Sequence, residues 1–187
     1  MRRLRTLLVS ELLLVPLLTG LGAHATSAVV IPSCTTSNLS LAVGPMQAAA
    51  GNVAMPIVIT NRGAVACSLY GYPTLSLVTK ATIPRPLKVS HLPQSQIYRS
   101  VTPQHIVIAP HHVASFGISY VDGANQQYGN RPGCLVVALR VTLPALRPST
   151  TFVLRGTWGQ YGLFNICFTR FTVGVTPLQL GSTPREH

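Results

Sequence analysis

The sequence predicts an all-β fold, an immunoglobulin-like antiparallel β-sandwich of about seven to eight strands with two disulfides. Three observations carry that expectation. Apolar residues recur with period two in nearly every hydrophobic segment, which places them on one face of a half-buried strand. The 15 prolines and 15 glycines interrupt the chain too often for long helices, and no segment has a helical period. Four cysteines fall in two equal steps of 33 positions, Cys34 to Cys67 and Cys134 to Cys167.

The strands follow in order. Leu39, Leu41 and Val43 share a face, as do Val53, Met55, Ile57 and Ile59 before the Asn61-Arg62-Gly63 turn signal. Pro56 within the second strand has no N–H for a ladder, so it belongs at an edge or a bulge. Leu75 and Leu77 follow the Gly71-Tyr72-Pro73 turn. Ile106 and Ile108 lead to Pro110, after which Ala114, Phe116, Ile118 and Tyr120 alternate with Ser115, Gly117 and Ser119. Leu135 to Leu143 gives the cleanest alternation, Phe152 and Leu154 a short strand, and Phe171, Val173 and Val175 the last. One connection, Lys80 to Gln104, is long and carries four prolines, and Leu87 and Val89 within it fit a short edge strand.

The first residues read as a leader. Arg2, Arg3 and Arg5 precede an apolar run from Leu7 to Leu21, and Ala23-His24-Ala25 sets small residues where a signal peptidase cuts. Residues 1–25 are therefore expected to be a secretory signal peptide, cut after Ala25 or after Ala28. Glu11, Pro16 and the shortness of the run disfavour a membrane anchor, and the mature chain has no transmembrane segment by this reading. Residues 34–177 form a single domain and residues 178–187 a flexible tail. The location implied is secreted or cell-envelope associated.

Removing the leader leaves 11 Lys and Arg against only Asp122 and Glu186, a net charge of +9. Such a surface attracts an anionic envelope polymer, lipid headgroups or an acidic protein. Two distant carboxylates exclude paired-carboxylate catalysis and carboxylate-rich calcium sites. Nucleic acid is disfavoured as a partner because an exported, disulfide-bonded chain does not meet it.

In an oxidising compartment four cysteines form disulfides, and three pairings are open. Cys34 precedes the first strand and Cys67 follows the second, so an antiparallel pair brings their outer ends together; the same argument joins Cys134 to Cys167. No C-x-x-C pair supports zinc. Lipid attachment at Cys34 is opposed by Pro32, by the distance from the apolar run, and by the odd cysteine it would leave.

Cys34 before a strand, Asn61-x-Gly63, Cys67-x-Leu69-x-Gly71-Tyr72-Pro73, the Pro110-led strand and the Cys134 and Cys167 pair resemble the actinobacterial "domain of unknown function 4232" family. The resemblance spans Cys34 to about Pro177 and implies an exported, disulfide-bonded β-sandwich of the envelope, with no activity or binding residues attached. This chain departs at His111-His112, where relatives often place glycine.

Candidate sites are few. Lys80, Arg85, Lys88 and Arg99 in the long loop are binding candidates for an anionic partner, and Trp158 and Tyr161 in a glycine-rich loop present rings for stacking on sugars or for filling the core. His105, His111 and His112 are weak metal candidates without carboxylate support. No cofactor is implied. Asp122 alone is available to orient a histidine, and no Gly-x-Ser-x-Gly elbow is present. The expectation is an exported non-enzymatic binding or structural module of the cell envelope; the alternative is a metal-binding or hydrolytic enzyme using His111, His112 and Asp122.

Overall fold

The computed structural model describes residues 30–49, 52–79, 84–86, 88–91, 97–121, 136–144, 151–155 and 172–186. The chain divides into Met1–Val30 and Ile31–His187, and all the described residues except Val30 belong to the second unit. The fold is all-β. After a 3-10 turn at Thr36–Asn38 come β1 (Leu39–Val43), β2 (Gln47–Ala49), β3 (Asn52–Asn61), β4 (Cys67–Leu69) and β5 (Thr74–Thr79). The short β6 (Pro84–Pro86), β7 (Lys88–Ser90) and β8 (Ile106–Ile108) precede β9 (Val113–Val121), β10 (Val136–Thr142), β11 (Thr151–Arg155), β12 (Thr172–Val175) and β13 (Gln179–Leu180).

One sheet has the order β1-β3-β9-β12-β7, with β2 also on β3 and β13 also on β9; a second has the order β11-β10-β5-β6; β4 and β8 pair alone. Alternation fixes which face goes inward. Met55 stands opposite Ile118, Ile57 opposite Phe116 and Val43, and Ile59 opposite Ala114 and Leu41, so the apolar sets of three strands share one face. In the second sheet Leu77 faces Leu139, which faces Leu154, and Leu75 faces Val141. Both faces enter one hydrophobic cluster. Each fully buried Ile or Phe there contributes about 1.5–3 kcal/mol relative to exposure.

Pro56 is not at an edge. β3 lies between β1 and β9, and the proline sits at the bulge that was the other expectation. Val43 faces Ile57 but Gln47 faces Ala54, so one extra residue is accommodated between β1 and β2. The break falls where Pro56 has no N–H to give, while its carbonyl accepts from Gly44 N at 2.8 Å. The far side of β9 repeats the device. Val175 faces Ile118 but Gln179 faces Ser115, again one residue extra. Between them Thr176 Oγ1 accepts from Gly117 N at 2.8 Å, and Thr176 N donates to Gly117 O at 3.0 Å. These bulges, with short edge pieces, account for thirteen strands among the described residues where seven or eight were expected. A further departure is that the sheet is not wholly antiparallel: β7, from the long connection, runs parallel to β12. The sequence distance between them supplies the crossover a parallel pair requires.

The alternating polar face of β9 is also covered. Ser115 and Ser119 are buried, and Tyr98 lies over Gly117. Residues 178–187 read in the sequence as a flexible tail; in the structure Leu178 is buried, β13 pairs with Ala114–Ser115, and Pro184 is buried. Arg99 N donates to Arg185 O at 3.0 Å, and Tyr98 forms an antiparallel bridge with Glu186.

Candidate functional site

The site grows from the turn after β4. Leu69 is buried, and Gly71 then takes a φ of 97°, a left-handed conformation that favours glycine. Its carbonyl accepts from Leu178 N at 3.0 Å, which ties the C-terminal segment to the turn after β4. The flanking tyrosines each carry a histidine. Tyr70 stacks on His105 with centroids 4.5 Å apart, and Tyr72 on His91 at 3.9 Å and 8°. The middle of the long connection and the residue just past its end are thus held by the two neighbours of one glycine. Partial burial raises the Tyr72 pKa, and the neighbouring Tyr70 adds to the rise.

Beside this shelf lies a cleft of about 370 Å³ between residues 101–106 and 178–185, at the small end of ligand pockets. Val101, Ile106, Leu178 and Leu180 make its apolar walls; Thr102, Gln104, His105, Gln179 and Arg185 supply the polar groups. Arg185 N donates to Gln179 Oε1 at 3.3 Å, while Gln179 Nε2 is closed off from solvent with no partner among the described residues. Among the described residues no carboxylate lines the cleft. The nearest in sequence, Glu186, accepts from Gln47 Nε2 at 2.7 Å.

The sequence candidates divide. Arg99 is exposed and joins the 178–186 segment through its backbone, and His105 lines the cleft. Arg85 lies opposite Leu77 and Lys88 opposite Thr172 in their ladders, away from His105 in sequence and sheet. His111 and His112 serve the turn before β9: His111 N donates to Asn61 O, and His112 Nδ1 donates to Pro110 O at 2.9 Å. His111 has a φ of 61°, a left-handed conformation that favours glycine. Among the described residues no group of three or more His, Cys, Asp or Glu side chains gathers as a metal site would require. No helix of the described residues is long and apolar enough to cross a membrane. Lys80, Asp122, Cys134, Trp158, Tyr161, Cys167 and the leader lie outside the described residues.

Gln104, Gln179 and Arg185 were not singled out in the sequence. They are ordinary polar residues there, and it takes the Gly71–Leu178 and Arg99–Arg185 hydrogen bonds, the Tyr98–Glu186 bridge and the β13 pairing to make them neighbours.

The residues of the specific sequence block are framework. Asn61 is fully buried, and its Nδ2 lies within hydrogen-bond reach of the carbonyls of Val65, Ile108 and Ala109, at 2.9, 3.0 and 3.3 Å. Its Oδ1 accepts from Gly63 N at 2.9 Å. Cys67 is joined to Cys34, beside the parallel bridge of Ser33 with Ser68. The bond leaves no thiol at Cys34 for a lipid.

No curated protein and no solved structure matches the chain. The family described as Domain of unknown function (DUF4232) matches residues 34–177, the stretch that holds the Asn61 hub, the Cys34–Cys67 bond and most of the described strands. The chain belongs to the DUF4232 family.

Proposed function

We propose that the protein is a non-catalytic binding module that works outside the cytoplasm, in the cell envelope, and takes an anionic partner at the cleft beside Tyr70 and His105. The observation that carries this reading is the lining: Arg185, His105 and two primary amides surround the space, and none of the described residues that line it is a carboxylate. The net charge of +9 that remains without the leader adds long-range attraction of the same sign. Export rests on the leader pattern and on the Cys34–Cys67 bond, which persists in oxidising compartments. The same reading includes an immunoglobulin-like arrangement of the sheets and a second bridge between Cys134 and Cys167.

The test is calorimetric titration with polyglutamate at low and high salt, using the protein and its Arg185→Glu variant. Binding should weaken steeply from about 0.05 to 0.5 M salt and fall at least tenfold in the variant. Absent binding, or binding indifferent to both changes, overturns the reading.

A further inference from the structure

The lining of the cleft also specifies a ligand class. We infer that, if the anionic-partner reading holds, the cleft takes a single carboxylate on a short apolar body, of the size of one acylated amino acid. Three features converge on this chemistry. The volume, about 370 Å³, admits one residue-sized group and not a folded chain. Arg185 is the one permanently charged side chain among the described lining residues, and its planar fork matches a carboxylate bidentately. A doubly charged phosphate needs more compensation than one guanidinium, one imidazole and neutral amides give. The remaining wall is aliphatic: Val101, Ile106, Leu178 and Leu180 favour an apolar body over a sugar.

Geometry adds direction. Leu180 is 59% exposed although it lines the cleft, so a ligand covering it removes apolar surface from water. Arg185 is held from both sides through its backbone, by Arg99 N on its carbonyl and by its own N–H on Gln179, so the segment that carries the charge is already in place. Gln104 and Thr102 line the cleft from the segment before β8 and supply polar groups for the amide of an acylated ligand.

The experiment is a titration of the ¹⁵N-labelled protein with N-acetylleucine, N-acetylleucinamide and n-butyl phosphate. The expected result is saturable shifts at Gln104, His105 and Gln179 with N-acetylleucine, at least tenfold weaker binding of the uncharged amide, and a similar loss in Arg185→Gln. Leu180→Asp, a change at an exposed position, should weaken N-acetylleucine by a further comparable factor. Equal binding of the amide, or full binding by Arg185→Gln, overturns the inference. Butyl phosphate binding at these residues in place of N-acetylleucine overturns the carboxylate class and leaves the anionic-partner reading standing. If none of the three binds and polyglutamate also fails, both fall together.

Discussion

The ring of Tyr98 occupies the space that a side chain at Gly117 would fill: a Cβ there would stand 2.4 Å from Tyr98 Cε2 and 2.6 Å from Cδ2. Gly117 is opposite Pro56, and both neighbouring edges bulge at this level. The centre of the large sheet is therefore built around a glycine, a proline and a buried phenol.

Gly117→Ala should be destabilising by about 1–3 kcal/mol, since the buried ring has no free space to retreat into. Urea unfolding of Gly117→Ala, Tyr98→Leu and the double variant gives the coupling. A double variant less damaged than the sum of the singles is the expected result, and strict additivity would separate the two residues.

Tyr98→Phe should be neutral or stabilising by up to about 1 kcal/mol at pH 7, because the hydroxyl is buried without a hydrogen-bond partner among the described residues. Burial, with the Glu186 carboxylate as a second cause, holds the Tyr98 phenol well above its ordinary value of 10.0. A raised phenol keeps its proton when folded and loses it when unfolded. Its contribution is thus complete below pH 10 and is lost as pH rises beyond. Stability measured from pH 8 to 11 should fall above about pH 10, and less steeply in Tyr98→Phe; Tyr72, also raised, keeps part of the slope.

Asn61→Ala should cost about 1–3 kcal/mol, since it strands the buried carbonyl of Ile108 and the part-buried ones of Val65 and Ala109. Asn61→Asp keeps the shape but turns a donor into an acceptor facing those carbonyls. Its carboxyl pKa should be raised, so the defect should grow as pH rises through and above about 4. Thermal unfolding at pH 3.5 and pH 7 reads the difference.

Replacing Cys34 and Cys67 by alanine opens a loop of separation 33, a loss of about 3–4 kcal/mol in the chain-entropy account. Non-reducing peptide mapping should recover the Cys34–Cys67 linkage, with no lipid on Cys34.

His111→Gly should raise stability by about 0.5–1 kcal/mol, the relief of a left-handed conformation outweighing the entropy glycine adds to the unfolded chain. His111→Ala, which keeps the Cβ, should not stabilise. Denaturant midpoints for the two variants decide between conformational relief and mere loss of the imidazole.

Much of the framework was legible because it is local. Val53 to Ile59 and Ala114 to Tyr120 announce their faces by alternation, and a buried face needs that pattern wherever the strand ends up. Pro56 announced a defect in pairing, and the left-handed turn at His111 coincides with the position where the resemblance calls for glycine. The cleft was far less legible. His105 was visible as a histidine, but Arg185 read as part of a loose tail, and nothing near Gln179 marks it as the neighbour of Gln104.

The residue pattern by itself determined that the chain forms strands, which side of each is buried, and that Cys34 and Cys67 lie at meeting ends. The tertiary structure alone decided the sheet order, the burial of Ser115 and Ser119, the seat of Tyr98 over Gly117, and the approach of residues 178–185 to 101–106. The reason is range: alternation is a property of adjacent residues, whereas a cleft depends on bulges and cross-chain hydrogen bonds, such as Leu178 N to Gly71 O, that join segments with no shared signal in sequence.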